Sequence, residues 1–237
     1  MVLSELIQRS PIRVFEQSIH GGLKAGEIGI IASRAGIGKT SVLVQLALDK
    51  LLQGKKVIHV SFARNQYVFA WYEDIFREFI SKTNLENVDD VKNGLVKNRV
   101  LMNFNQDVMS QDQIIRSLRA MITEGGFAAG SVIIDGFDFS RAGREKRLYA
   151  SLENVKAFAV ELGLSVWYSC TVNGEGLECD GRGMPSVLKE FTDIIDVIVT
   201  LEPGPDHIEL SITKDRDSVG AKTMAMRLDT KTLLISG

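Results

Sequence analysis

Gly29-Ile30-Ile31-Ala32-Ser33-Arg34-Ala35-Gly36-Ile37-Gly38-Lys39-Thr40-Ser41 runs from an apolar segment, through a glycine-bearing turn, into a helical pattern. Gly29–Ala32 reads as a buried strand. Lys39–Leu52 carries Val42, Leu43, Leu46, Ala47 and Leu51 at helical spacing. Between them, Ser33 to Thr40 follows the phosphate-loop pattern GxxxxGK[ST], with serine in place of the first glycine. Gly36 and Gly38 permit backbone angles that turn successive N–H groups inward as an anion nest. The helix N-terminus adds partial positive charge at the same point. Lys39 supplies a full charge for terminal phosphates, and Thr40 a hydroxyl for Mg²⁺. The segment Ser33, Arg34, Ala35, Gly36, Ile37, Gly38, Lys39, Thr40 and Ser41 is therefore the expected nucleotide cradle. A chance glycine-rich turn is the competing reading.

Outward from this segment, short apolar runs alternate with amphipathic stretches. Strands are expected at Lys56–Phe62, Arg99–Phe104, Ser131–Asp135 and Leu164–Thr171. Helices are expected at Val68–Ser81, Ser110–Glu124 and Arg147–Leu162. This alternation predicts an α/β fold, a mostly parallel sheet covered on both faces. Asp196–Leu201, Asp206–Lys214 and Lys222–Leu228 follow with no long helix between them and predict antiparallel strands added at the end. Residues 1–237 are read as one domain, with 1–14 as an N-terminal extension.

Ser131–Asp135 is apolar until its terminal carboxylate. Placed about one hundred residues after a phosphate loop, Asp135 is the expected partner of Thr40 at a Mg²⁺ site. The competing reading is a carboxylate capping the strand end.

Composition narrows the class. The chain has 237 residues, 45% hydrophobic and 24% charged, with a net charge of −2. It does not attract polyanions globally, so a nucleic-acid surface would have to be local. Cys170 and Cys179 lack metal-ligand spacing, and His20, His59 and His207 are scattered, which argues against a zinc site. No apolar run reaches the length of a membrane span, and the first ten residues lack the order of a signal peptide. A cytoplasmic protein is expected.

The lead-in Gly21-Gly22-Leu23-Lys24-Ala25-Gly26-Glu27, then Ile30–Arg34 and Gly38-Lys39-Thr40, resembles the start of the ATPase domain of the RecA/DnaB/KaiC superfamily. The resemblance extends from about Phe15 to the end. It includes Leu164–Ser169, similar to the strand that carries a γ-phosphate-sensing residue, and Lys189–Leu201, similar to the segment before the next strand. Ile212-Thr213-Lys214-Asp215-Arg216-Asp217 matches the family's Lys-x-Arg hairpin. The resemblance implies a RecA-like fold, ATP and Mg²⁺ as ligands, and a homo-oligomer, with a hexameric ring among the arrangements. In ring-forming members the hairpin cations reach a neighbour's γ-phosphate, so Lys214 and Arg216 join Lys39 as candidate catalytic residues. At alternating strand positions both would point the same way.

The departures carry equal information. The family's catalytic carboxylate stands at the end of the second strand, where this chain reads Val60-Ser61-Phe62-Ala63-Arg64. Ala63 cannot polarise water, and losing that group costs roughly two to four orders of magnitude in rate. The sensor position is Cys170, a poor hydrogen-bond partner. Good nucleotide binding with slow hydrolysis is expected, as in a nucleotide-gated switch or oligomeric scaffold. The alternative is a DNA-dependent motor, a helicase or recombinase paralogue.

The basic run Arg141, Arg144, Lys146 and Arg147 reads either as a DNA-backbone contact or, preferably, as a solvated helix start. Acids at Glu175, Glu178 and Asp180 in the next loop oppose phosphate binding. The aromatics Tyr67, Phe69, Trp71, Tyr72 and Phe76 fit a core or subunit interface better than a cofactor box.

Overall fold

The structure, a computed structural model, describes residues 7–8, 10–62, 65–83, 85–105, 109–139, 145–172 and 179–237, with residues 65, 66, 111 and 145–147 described by backbone alone. The first helix, α1, spans Pro11–Ser18. Ser10 caps it by accepting from the Ile12 amide, and proline occupies the first turn, where its missing N–H costs nothing. This helix begins inside the stretch expected to be an extension. Its Ile12 and Phe15, with Ile19 just after it, are buried, and Phe15 packs against Trp167 with ring centroids 6.1 Å apart.

The elements that follow are β1 (Ile28–Ser33), α2 (Lys39–Leu52), β2 (Val57–Ser61), α3 (Asn65–Ser81), α4 (Val88–Lys97), β3 (Arg99–Asn103), α5 (Gln111–Arg119, continued by a π-turn over Ala120–Glu124), β4 (Ser131–Asp135), α6 (Glu145–Leu162), β5 (Ser165–Thr171), a 3₁₀ turn over Ser186–Phe191, β6 (Val197–Pro203), β7 (His207–Asp215), β8 (Ser218–Asp229) and β9 (Ile235–Ser236). Helix α4 was not expected. Its apolar positions Val88, Val91 and Leu95 are diluted by Asp89, Asp90, Lys92 and Gly94, and of its residues only Leu95 is buried.

One nine-stranded sheet runs in the order β3-β2-β4-β5-β1-β6-β7-β8-β9. The six strands from β3 to β6 are parallel, and β6 through β9 pair antiparallel. The expected α/β class and the antiparallel C-terminal strands are both present. Strand alternation sorts the core into two layers. Ile31, Val57, Ile133 and Trp167 face α1 to α4, whereas Ile30, Ile58, Val132, Ile134 and Tyr168 face α5, α6 and the 3₁₀ turn. Because β1, β2, β4 and β5 are covered on both faces, they carry near-continuous apolar sequence. Among the described residues, no helix is long and apolar enough to cross a membrane.

Candidate functional site

The parallel strands β1, β2 and β4 end at one edge of the sheet, and the site is assembled there. The chain leaves β1 at Ser33 and enters α2 at Lys39. The turn between them needs glycine twice, for different reasons. Gly36 sits at φ +79° with open space around it, so only its backbone angle demands glycine. Gly38 sits at φ +111°, and a Cβ there would also meet Leu228 Cδ2 of β8 at 2.6 Å. Helix α2 has no side-chain cap, which leaves the amides of its first turn open for an anion.

Lys39 is buried, at 8% exposure, and bends back across the turn. Its Nζ donates to the Arg34 carbonyl at 2.8 Å, the Ser33 carbonyl at 3.1 Å and Ser33 Oγ at 3.3 Å. Burial lowers the lysine pKa from its ordinary value, opposed by Cys170 and Asp135. A desolvated ammonium held by backbone carbonyls is poised to exchange them for a stronger anionic partner.

Thr40 and Asp135 meet. Thr40 Oγ1 donates to Asp135 Oδ2 at 2.8 Å across the intervening strand β5. Asp135 is buried at the end of β4, and Gly136, at φ +81°, turns the chain sharply away after it. The Gly136 amide donates to Ser169 Oγ at 2.7 Å. Ser169 was not singled out by sequence; only its place one residue before Cys170 near the end of β5 could have pointed to it. Cys170 packs in the apolar layer with Ala32 and Tyr168. Burial pushes its thiol up to about 12, with Asp138 adding to the shift and Lys39 opposing it. The thiol therefore stays neutral and is a weak partner for phosphate.

Strand β2 runs beside β4 with Ser61 opposite Asp135, and the Phe62 amide donates to the Asp135 carbonyl at 3.0 Å. Phe62, the residue after β2, thus lies alongside Asp135. Ala63 and Arg64 themselves lie outside the described residues, as do Glu175, Glu178 and the basic run at Arg141 and Arg144; the side chains of Lys146 and Arg147 are likewise outside them. Asp180 is described and accepts the amides of Arg182 and Met184 in a local turn.

The C-terminal hairpin braces the site, which the sequence did not suggest. Ser41 Oγ donates to the Leu233 carbonyl at 2.5 Å, and Gln45 Nε2 to the same carbonyl at 2.9 Å. The Ile235 amide returns a bond to Gln45 Oε1 at 2.8 Å. Ser41 therefore serves α2 and its packing and is committed to protein.

Lys214 and Arg216 stand elsewhere. Gly29 pairs with Val197, and Val197 with Asp215, so the β7–β8 turn lies beside the start of β1. Ser33 is four residues further along β1, about 13 Å at strand rise. The expected alternation of the two cations along one strand does not hold. Arg216 is outside β7, in the turn, at φ +52°. Its guanidinium binds Glu27 twice, at 3.0 and 2.7 Å, the carbonyls of Ile19 and Gly22 at 2.8 Å each, and Asp215 at 2.5 Å. Lys214 Nζ donates to the Arg216 carbonyl at 2.5 Å.

No protein-family model matches the chain, and no curated protein matches it. The functional reading therefore rests on the site's own chemistry and on the resemblance of the sequence motifs. Among the described residues there is no cluster of three or more His, Cys, Asp or Glu side chains able to hold a metal by themselves. A hard cation at Thr40 and Asp135 would have to complete its shell with water and ligand oxygens, as Mg²⁺ does beside phosphates.

Proposed function

We infer that this chain binds Mg²⁺-ATP at Ser33–Thr40 and Asp135 in a RecA-like domain, hydrolyses it slowly, and works as a nucleotide-gated switch or oligomeric scaffold. The observation that carries the reading is the convergence of Lys39, Thr40 and Asp135 at the C-terminal edge of the parallel strands. A buried ammonium, open helix amides and a hydroxyl–carboxylate pair supply the anion and cation halves of a metal–triphosphate site. When bound, Mg²⁺ would neutralise charge on the terminal phosphates. Thr40 and Asp135 would hold it directly or through water, and Lys39 would bind phosphate oxygen in place of the loop carbonyls.

Slow turnover follows from alanine at position 63, where the resemblance calls for a carboxylate. Adenine is favoured by the resemblance alone. A cytoplasmic location and a homo-oligomer, with Lys214 and Arg216 acting across an interface, belong to the same reading. For Arg216 to act in that way it would first have to release Glu27 and Asp215.

The test is thermal stability and ATP turnover measured together, with Mg²⁺-ATP, with and without single-stranded DNA. Stabilisation with little turnover, unaffected by DNA, supports the switch. DNA-stimulated turnover would make the protein a motor. Ala63→Glu should raise turnover if the remaining geometry is competent.

A further inference from the structure

His59 has no part in the site described above, yet it is fully buried in β2 beneath α3. Its Nδ1 lies 3.0 Å from the Tyr72 hydroxyl, and the two rings meet edge-on with centroids 5.6 Å apart. Its Nε2 is buried with no hydrogen-bond partner among the described residues. An unpartnered buried nitrogen costs the desolvation of that atom, so an apolar side chain would serve packing better here. Burial keeps the ring neutral, its pKa pushed down to about 4.

His59 stands opposite Ile133, and two residues along the same face Ser61 stands opposite Asp135. By strand spacing, the Cα atoms of His59 and Asp135 are roughly 8 Å apart. Asp135 and Arg99 are the charged groups that act on the ring. On the far side, the Arg99 guanidinium lies 4.2 Å from the Tyr72 ring centroid and 5.7 Å from that of Phe69. Phe69 is half exposed, and Tyr67 on the same helix is 60% exposed. A contiguous set of polar and aromatic contacts therefore runs from His59 through Tyr72 and Arg99 to Phe69 on the outer face of α3.

We propose that His59, Tyr72 and Arg99 couple occupancy of the Asp135 metal site to the conformation of the α3 aromatic face. The proposal rests on the Mg²⁺-ATP reading of that site. The His59–Tyr72 bond has two polarities. Either Tyr72 donates to Nδ1 and Nε2 carries the proton, or Nδ1–H donates to the Tyr72 oxygen. The Asp135 carboxylate acts on the ring through its field, and a divalent cation beside Asp135 would offset that field. In a dry interior this field change is screened little, so the two states differ in the orientation of the Tyr72 hydroxyl beneath Arg99.

Trp71, next to Tyr72 on α3, reports the change. In a Trp167→Phe background it is the sole tryptophan. Its emission is titrated with Mg²⁺-ATP and with ATP in EDTA, while affinity is measured separately with a fluorescent ATP analogue. The expected result is a Mg²⁺-dependent change in Trp71 emission. His59→Phe and, more conservatively, Tyr72→Phe should lose most of it while keeping ATP affinity. A Tyr72→Phe response equal to the parent's overturns the coupling. So does a parent that binds Mg²⁺-ATP with no change at Trp71, although the nucleotide reading then stands. Absence of ATP binding in the parent overturns both.

Discussion

Thr40 Oγ1 and Asp135 Oδ2 lie 2.8 Å apart although 95 residues separate them in the chain. Their meeting depends on the short turn that carries the chain from the end of β1 into α2 and on β4 being separated from β1 by β5 alone. A cation taken by this pair replaces an existing hydrogen bond and leaves no cavity to fill.

The first prediction concerns that pair. Asp135→Asn keeps an acceptor for Thr40 and removes the charge. Stabilisation by ATP should then become insensitive to Mg²⁺. For wild-type protein at a hundredfold excess over Kd, linkage gives about 2.7 kcal/mol of stabilisation, several degrees in Tm. A Mg²⁺-dependent shift of wild-type size in the variant would remove Asp135 from the metal site.

Lys39→Met should have opposite effects on the two states. Burial lowers the lysine pKa, so the ammonium carries a desolvation cost that a phosphate would offset. Without nucleotide, the variant should be at least as stable as wild type in urea. With Mg²⁺-ATP it should gain nothing. A large loss of stability in the nucleotide-free variant would mean that Lys39 is mainly a structural brace for the loop carbonyls.

Arg216→Ala should destabilise the monomer, whatever its role between subunits. The guanidinium ties the β7–β8 turn to Glu27, Asp215 and the Ile19 and Gly22 carbonyls. Removing it leaves two mostly buried carboxylates with weaker support, Glu27 with the Lys24 amide and Asp215 with His20. The expected cost is about 2–3 kcal/mol, below that of a fully buried pair. Urea unfolding at concentrations where the protein is monomeric measures it directly, and wild-type stability there would mean that the clamp contributes nothing.

His59 gives a pH dependence of defined sign. Its folded pKa is about 4, against 6.5 for the ordinary side chain. Between those values the unfolded chain binds a proton that the folded chain refuses. Stability is therefore complete above about pH 6.5 and falls as the pH drops toward about 4. Between about pH 7.5 and about pH 5 this single group should cost about 2 kcal/mol. His59→Phe lacks the group, so in urea unfolding wild type should lose about that much stability relative to the variant on acidification. A constant difference across the range would show that the ring is not excluded from protonation.

Much of the fold was written in local pattern. Lys39–Leu52 and Ser131–Asp135 have the boundaries that periodicity and flanking glycines assign, because a doubly covered strand must be apolar throughout and a helix start after Gly38 is sharply defined. Helix α4 escaped notice because it buries little and carries Gly94. Helix α1 escaped because it is short, although Ser10 and Pro11 form a readable start.

The sequence alone determined the nature of the loop, its lysine and hydroxyl, and the strand that ends in Asp135, since each depends on neighbouring residues and on backbone angles that only glycine adopts freely. The tertiary structure decided what those groups face. It set the Thr40–Asp135 contact, braced α2 with the Leu233 carbonyl, brought His59 against Tyr72 and turned Arg216 onto Glu27. Those relationships depend on strand order and antiparallel register, which arise from packing the whole sheet against its two helical layers and are encoded in no single segment.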